Sequence, residues 1–151
     1  MSLQWKWCRL DQLALSQVYA LFEARERVFV VEQRCAYQEL DGLDLDAWHL
    51  IARDGEQVVA ALRVLAPDVL HDEPVIGRVL VDAAWRGRGI GHQLMTRALH
   101  CCGRVYPGAP LRLSAQTHLT GYYGHHGFVS LGDPYDEDGI AHIAMRRPPG
   151  G

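Results

Sequence analysis

A glycine-rich turn constrains the fold of this 151-residue chain more than any other feature of its sequence. Residues 86–91 read Arg-Gly-Arg-Gly-Ile-Gly. They follow a run at 74–82 that is apolar on both faces, as in a central strand. After them, apolar residues recur with the period of a helix as far as about Cys102. Backbone N–H groups at a helix start are unpaired and lie at the positive end of its dipole, and glycine lets an anion approach without a Cβ clash. The turn therefore predicts an anion-binding site between a strand and a helix.

Two common phosphate loops do not match this turn. The dinucleotide-binding fingerprint needs a third glycine, where this chain has His92 after Gly87 and Gly89, and an acidic residue roughly 20 positions further on, which is absent. A Walker A loop needs Gly-Lys-Ser or Gly-Lys-Thr, which is absent as well. The alternative interpretation is a tight turn that binds nothing. The two arginines among the three glycines favour the anion site.

Helical and strand periodicities divide the rest of the chain into alternating elements. We predict, in order, a first strand, a helix capped by Asp11 with an apolar stripe to Phe29, strands at 48–53 and 57–65 joined at Asp54-Gly55, a central strand at 74–82, a helix at 89–102 stopped by Gly103, a strand at 111–115, a helix at 117–126, and strands near 128–131 and 140–146. Hairpins combined with a parallel crossover predict an α/β or α+β domain with helices flanking one mixed central sheet. We expect a single domain at 1–147 and a short flexible tail at 148–151.

Charge and cysteine content exclude several classes of protein. Fifteen Lys and Arg against 18 Asp and Glu give a net charge of −3, which argues against nucleic acid as a partner because phosphate-backbone binding needs a basic surface. No stretch approaches the roughly 20 apolar residues that span a bilayer, and the first residues lack the apolar core of a secretory signal. The four cysteines contain no CxxC pair. We therefore expect a reduced, cytoplasmic protein that does not associate with membranes.

Two motifs resemble those of a known family. The run at 81–91 resembles motif A of the GCN5-related N-acetyltransferases (the GNAT superfamily), Gln/Arg-x-x-Gly-x-Gly/Ala, which is filled here by Arg86, Gly89 and Gly91. The run at 121–128, Gly-Tyr-Tyr-Gly-His-His-Gly-Phe, is similar to the family's later signature, in which an aromatic-Tyr pair precedes Gly-Phe. Four further runs resemble the small bacterial ElaA-type subgroup, at 28–33, 37–42, 114–116 and 137–140.

The resemblance implies an N-acyltransferase that uses acetyl-CoA as acyl donor. The amides of the glycine-rich loop would bind the CoA pyrophosphate, and this assigns to the cofactor Arg86, Gly87, Arg88, Gly89, Ile90 and Gly91. The preceding strand would pair with the pantetheine arm through the backbone of Val79, Leu80 and Val81. The acceptor would be an amine-bearing small molecule or peptide, acylated by direct transfer in a ternary complex. A cysteine nucleophile is disfavoured, because Cys101 and Cys102 lie on the helix rather than in the loop and have no base beside them in sequence.

Acyl transfer to an amine needs a neutral amine and an acid for the departing thiolate. Tyr123 matches the family's general acid by its spacing to Gly127-Phe128, and the alternative for this residue is a core aromatic. The base stays open, because the strand at 74–81 has no acid where many family members carry Glu. The candidates are Glu32, Glu39, His49 and His142. A structural ion pair with Arg25 is the leading interpretation of Glu32, and a histidine in a strand is more often half-buried and satisfied than a base.

The segment between the first helix and the Trp48 strand is rich in acidic residues. It contains Glu39, Asp41, Asp44 and Asp46. In the resembling family this segment commonly walls the acceptor side of the cleft, so Glu39, Asp41 and His49 are predicted to bind the substrate. An open acidic rim would favour a cationic amine, and the alternative is a solvated face. The carboxylate spacing fits no EF-hand and no paired His/Cys pattern fits zinc, so we predict no metal.

Fold alone does not fix function. The alternative function is a catalytically silent acyl-CoA-binding or protein-interaction module, in which Tyr123 and a base do not reach the acyl group. A homodimer is compatible with both functions.

Overall fold

Seven strands form one mixed sheet, and three helices accompany it in the part of the chain that the computed structural model describes, residues 2–150. The strands are β1 (Gln4–Arg9), β2 (Trp48–Asp54), β3 (Gln57–Leu65), β4 (Val75–Val81), β5 (Leu111–Gln116), β6 (Val129–Glu137) and β7 (Ile140–Arg147), and the helices are α1 (Leu15–Arg25), α2 (Ile90–Val105) and α3 (Thr120–His125). The strand order is β1-β2-β3-β4-β5-β7-β6, and every neighbouring pair is antiparallel except β4 and β5. The predicted α/β domain with a mixed central sheet is confirmed.

The core lies on both faces of the sheet. Side chains alternate between the two faces along a strand, so that Leu50 of β2 packs in one cluster with Leu94 of α2. Its neighbour Ile51 packs in a second cluster with Leu21 of α1. Strand β3 is buried on both faces from Val58 to Leu65. The two helices therefore cover opposite faces of the same central strands and fix the position of β4 beside them.

Strands β4 and β5 separate soon after they meet. Their parallel ladder has a single Cα pair, Val75 with Arg112, at the first residue of β4. In contrast, β5 and β7 pair along their whole common length, and β4 stays paired with β3 up to Val81. From residue 76 onward the edge of β4 that faces β5 is thus open. This opening creates the cleft that contains the candidate site.

The first helix differs from its prediction at both ends. Asp11 does not cap it, because the chain is extended at Leu13 and Ala14 and α1 begins only at Leu15. Its first turn is capped instead by Gln17, whose Oε1 accepts a hydrogen bond from the Ala14 N–H at 2.9 Å. After Arg25 the helix widens into a π-helical segment, Glu26–Glu32. A π-helix is rare and is often found at functional sites, and this one supplies part of the cleft wall.

The second helix is longer than predicted. Gly103 does not stop it, and α2 continues to Val105, where the Tyr106 amide closes the last turn on the Cys102 carbonyl at 2.7 Å. A glycine in the last turn costs only about 1 kcal/mol relative to alanine, which the burial of this helix outweighs. The domain boundary at 147 coincides with the end of β7 and stays a prediction. Within the predicted tail 148–151, residue 151 lies outside the described residues, as does residue 1 of the predicted domain.

Candidate active site

A cavity of about 860 Å³ occupies the opening between β4 and β5. Most of the predicted site residues line it, namely Val79, Leu80, Val81, Arg86, Gly87, Gly89, Ile90, Gly91, Glu32, Tyr123 and His142. Four others are not part of its lining, namely Arg88, Glu39, Asp41 and His49. The π-helical segment, the end of β4, the glycine loop (residues 86–91) and α3 therefore converge on one space.

The glycine loop has the backbone geometry of an anion site. Gly87 and Gly89 have φ values of +80° and +77°, and no atom lies within 4 Å of the position where a Cβ would stand. The first hydrogen bond of α2 runs from the Gln93 amide to the Gly89 carbonyl at 3.2 Å, so the amides of residues 90–92 precede the helical ladder. Gly91 serves packing instead, because a Cβ there would lie 3.3 Å from the Tyr122 hydroxyl.

Arg86 fixes the start of the loop to two neighbouring elements. Its guanidinium makes a bidentate pair with Glu32, with Nη1–Oε2 at 2.6 Å and Nη2–Oε1 at 3.0 Å, while its Nε donates to the Val81 carbonyl at 2.9 Å. The prediction that Glu32 pairs with Arg25 is wrong, because Arg25 is buried against Glu39 and Asp44 whereas Glu32 is partly exposed and pairs with Arg86. Glu32 is thus an ion-pair partner of the loop and not a free carboxylate. Arg88 lies beside the cleft, with its guanidinium 4.9 Å from the ring centre of Trp85.

Two adjacent tyrosines of α3 have different surroundings. The Tyr122 hydroxyl donates to the Gly91 carbonyl at 2.5 Å and so ties α3 to the first turn of α2. Tyr123 is buried and lines the cavity, its ring 6.2 Å from that of Phe128, and its hydroxyl has no hydrogen-bond partner among residues 2–150. Burial raises the pKa of Tyr123, and the neighbouring Tyr122 adds to this. The phenol of Tyr123 therefore stays protonated at neutral pH.

His142 lies on β7 at the opposite wall of the cleft and is engaged at both ring nitrogens. Its Nδ1 is 2.8 Å from the Ile140 carbonyl, and its Nε2 is 3.1 Å from Oε2 of Glu137. Both partners are oxygen acceptors. Tyr135 stacks on the imidazole at 6.3 Å. Neither ring nitrogen of His142 is therefore left without a partner to face an incoming amine.

The acidic segment is not an open rim. Its carboxylates pair with three arginines: Arg25 with Glu39 and Asp44 at 2.8 and 2.6 Å, Arg63 with Asp41 and Asp44 at 2.7 and 3.2 Å, and Arg78 with Glu39 and Asp41 at 2.6 and 3.4 Å. We call these six side chains the arginine–carboxylate network. Three positive and three negative charges balance, so the expectation of a single-sign rim that draws cations is wrong.

The pKa values within the network follow from this pairing. Hydrogen bonds from Arg63 lower the pKa of Asp41 well below its usual range. Burial acts to raise the pKa of Asp44, but the hydrogen bonds and charges of Arg25 and Arg63 together outweigh it, and the net direction is downward. His49 is fully buried, with Nε2 3.1 Å from the Asp44 carbonyl, and burial lowers its pKa. His49 and the network carboxylates thus belong to the support of the cleft rather than to its surface.

Several residues that line the cavity were missed by the sequence interpretation, among them Arg63, Arg78 and His92. Arg63 and Arg78 come from the middle of β3 and β4, where an apolar run gave no sign that they face a cleft. His92 follows the glycine loop, and its Nδ1 lies 2.8 Å from Nε2 of His126, the residue directly after α3. Nothing in the sequence indicated this contact.

The fold and this site define a GNAT protein, and comparison with known proteins agrees. The model of the "Acetyltransferase (GNAT) domain" family matches residues 15–148. The chain belongs to the GNAT family, within its ElaA-like group. Family and fold support acyl-CoA-dependent N-acyl transfer as the general activity.

Several relatives are similar over nearly the whole chain. Protein ElaA from Escherichia coli is 42% identical over 147 residues, 96% of each chain, and its crystal structure matches with a TM-score of 0.91. The crystal structure of an acyl-CoA N-acyltransferase from Pseudomonas aeruginosa is 51% identical, covers 97% of this chain and 99% of its own, and also has a TM-score of 0.91. A UPF0039 protein from Synechocystis is 42% identical over the full length of both chains.

No helix within residues 2–150 is long and apolar enough to cross a membrane.

Proposed function

We propose that this protein transfers an acyl group, acetyl in the simplest case, from CoA to an amine by direct attack within a ternary complex. The observation that carries the proposal is the open edge of β4 leading into a glycine loop with unpaired amides, all within one cavity. An extended ligand can add to an open strand edge through main-chain hydrogen bonds. A diphosphate can then be held at the start of α2, where amides and helix dipole both favour an anion.

The two parts of the donor site match the two parts of acyl-CoA. The pyrophosphate binds the amides of the glycine loop, and Arg86, held by Glu32 and Val81, keeps that loop in place. The pantetheine arm pairs with the backbone of 79–81 and leads the thioester toward the middle of β4. Amides of this strand donate to the carbonyl oxygen as negative charge develops on it, which is the largest single contribution in many acyl transfers.

The chemical step needs no covalent enzyme intermediate and no metal. The amine nitrogen attacks the thioester carbon, and the C–S bond breaks as the tetrahedral intermediate collapses to the amide. Tyr123 donates its hydroxyl proton to the departing CoA thiolate, and solvent reprotonates the phenolate. The protonated hydroxyl of this buried tyrosine, which lines the cavity and has no hydrogen-bond partner among residues 2–150, supports this role. Cys102 is not a nucleophile, since burial raises the pKa of its thiol to about 12.

The proton of the amine passes to water in the cleft. Of the four base candidates, Glu39 and His49 do not line the cavity, Glu32 is held by Arg86, and His142 faces acceptors at both nitrogens. Glu32 and His142 then have structural roles, Glu32 through its pair with Arg86 and His142 through its contacts with Ile140 and Glu137. This assignment predicts that kcat/KM rises with pH until the acceptor amine itself is deprotonated.

The test is release of CoA thiol from acetyl-CoA in the presence of a panel of amines, with mass spectrometry of the acceptor. Amine-stimulated release with matching gain of an acetyl group supports the proposal. Tight CoA binding without release for any amine would instead favour the silent acyl-CoA-binding module. Butyryl-CoA is compared with acetyl-CoA to measure the acyl preference. If acetyl is the natural group, kcat/KM should be at least about tenfold higher with acetyl-CoA, which is roughly the discrimination that one or two methylenes give in an apolar pocket.

A further inference from the structure

Strand β4 carries an irregularity at the level of the cavity. Arg63 pairs with Gly77 and Ala61 pairs with Leu80, so two residues of β4, Arg78 and Val79, stand opposite the single residue Leu62. This is a β-bulge, and Arg78 has a φ of +52°. The left-handed position of such a bulge is normally filled by glycine, because a Cβ is strained there. A strained residue in a strand that lines a cavity must be held by contacts elsewhere.

Those contacts come from one distant segment. The Arg78 guanidinium lies against Glu39, with Nε 2.6 Å from Oε1 and Nη2 donating to the Glu39 carbonyl at 3.0 Å. Nη2 also approaches Oδ2 of Asp41 at 3.4 Å, and the guanidinium carbon lies 5.6 Å from the ring centre of Tyr37. Residues 37–41 therefore surround the side chain that stands on the bulge.

The partners of Arg78 are themselves fixed. Oε2 of Glu39 accepts from Arg25 at 2.8 Å, and both oxygens of Asp41 accept from Arg63, at 2.9 and 2.7 Å. Arg25 and Arg63 are almost fully buried, on α1 and β3 respectively. The segment cannot drift without breaking these pairs, so the bulge is held between β3 and a rigid charged support.

We propose that Arg78 is a positioning residue for acyl transfer: Glu39 and Asp41 hold its side chain, which holds the left-handed backbone of the bulge and aims the 79–81 backbone at the thioester. The inference rests on the proposed function, in which the amides of this strand stabilise the developing oxyanion. Without the anchor, residue 78 relaxes toward negative φ, the bulge shifts along β4, and the amides no longer point at the reacting carbonyl.

The kinetic consequence is specific. A displacement of about 1 Å in a catalytic geometry costs on the order of 100-fold in rate. The pyrophosphate site in the glycine loop does not include the bulge, and only the pantetheine contacts with 79–81 would move with it, so the affinity for CoA is expected to fall less than kcat. Loss of Arg78 should therefore lower kcat by a larger factor than it raises the KM for acetyl-CoA, whereas general unfolding would lower the active fraction and the melting temperature together.

The experiment compares Arg78→Ala, Arg78→Gly and Arg78→Lys with the parent and with Arg146→Ala. Arg146 is a matched control, because it makes a comparable arginine–carboxylate pair with Glu73 at 2.7 Å and does not line the cavity. We expect kcat to fall about 10- to 100-fold in Arg78→Ala, and by a smaller factor in Arg78→Lys, which keeps a charge for the anchor, and in Arg78→Gly, which adopts the positive φ without strain. Calorimetry should show a smaller change in CoA affinity than in kcat for Arg78→Ala. Arg146→Ala should keep the parental kcat.

The glycine variant separates the anchor from the backbone conformation, because glycine adopts the positive φ without strain. A parental kcat in folded Arg78→Ala, or a loss in Arg78→Gly as large as in Arg78→Ala, would overturn the inference. If Arg78→Ala folds poorly, a parental kcat in folded Glu39→Gln would overturn it instead. Glu39→Gln tests the support from the other side and should lower kcat in the same direction by a smaller factor. If the parent itself releases no CoA with any amine, the proposed function fails; if the parent is active and the variants match it, only the role of Arg78 fails.

Discussion

The turn after β4 and the support at its middle are built in different ways. Beyond the end of β4, the glycine loop supplies backbone amides that come from consecutive residues and need only two positive φ angles to be exposed. At the middle of β4, the arginine–carboxylate network supplies three arginines and three carboxylates from α1, the 39–44 segment, β3 and β4. The glycine loop is formed by consecutive residues, whereas the arginine–carboxylate network forms only when folding brings four separate segments together. A binding role and a supporting role can thus be separated by experiment.

The largest effect is expected at Tyr123, which lies on α3 beside the glycine loop. Removing its hydroxyl in Tyr123→Phe keeps the ring packing and should lower kcat by about 10² to 10⁴ if the phenol is the general acid. Steady-state kinetics with acetyl-CoA and the best amine measures this. Tyr122→Phe is the contrast, because its hydroxyl is bonded to Gly91 and its loss should act on the KM for acetyl-CoA. A kcat of Tyr123→Phe within about twofold of the parent would mean that Tyr123 is a core packing residue and not the general acid.

The next effect is on stability and belongs to the network. Arg25→Ala leaves Glu39 and Asp44 buried without their shared partner, and breaking a buried pair in this way costs about 3 to 5 kcal/mol in the free energy of unfolding. Denaturant unfolding measures it. Arg27→Ala is the control, since that side chain is 42% exposed in its pair with Asp82 and should cost less than about 1 kcal/mol. Equal losses in the two variants would mean that the network is no more than a set of surface pairs.

The glycine loop is tested by Gly89→Val. A side chain there fills the space through which the pyrophosphate approaches, and CoA affinity should fall at least about 100-fold, or about 2.7 kcal/mol. Gly108→Val is the matched control, because Gly108 has a φ of +71° and equally open surroundings but lies outside the cavity. Calorimetry on both variants separates backbone strain from loss of the site. Unchanged CoA affinity in folded Gly89→Val would remove the basis of the donor site.

The smallest effect is a dependence of stability on pH. The pKa of Asp41 is lowered in the folded state by Arg63, so its stabilising contribution is present above the unfolded value of about 3.9 and is lost as pH falls toward the folded value. Asp41→Asn should therefore be less stable than the parent at pH 7, and the difference should shrink between about pH 5 and pH 3. Asp46→Asn serves as the control, because its exposed carboxylate makes no ion pair in the described part of the chain. A difference that does not change with pH would contradict the pairing.

Most of the elements could be predicted from the sequence. Apolar alternation located β2 and β3 to within a residue, and the central strand was placed within one residue at either end. The ends of helices were less well predicted, because Gln17 rather than Asp11 closes the first turn of α1 and the widening after Arg25 leaves no periodic signal. Helix ends depend on single hydrogen bonds, which a pattern does not show.

The sequence by itself determined the part of the site whose chemistry resides in the backbone. Glycine spacing after an apolar strand and before a helix is sufficient to expose amides to an anion, since both positive φ and the unpaired first turn are properties of consecutive residues. Only the tertiary structure decided what the charged side chains do. It separates Glu32 from Arg25, joins Glu32 to Arg86 across 54 positions, and turns the 39–44 carboxylates inward onto Arg25, Arg63 and Arg78. The energy of a charge depends on burial and on partners brought together by folding, and neither is encoded in its neighbours along the chain.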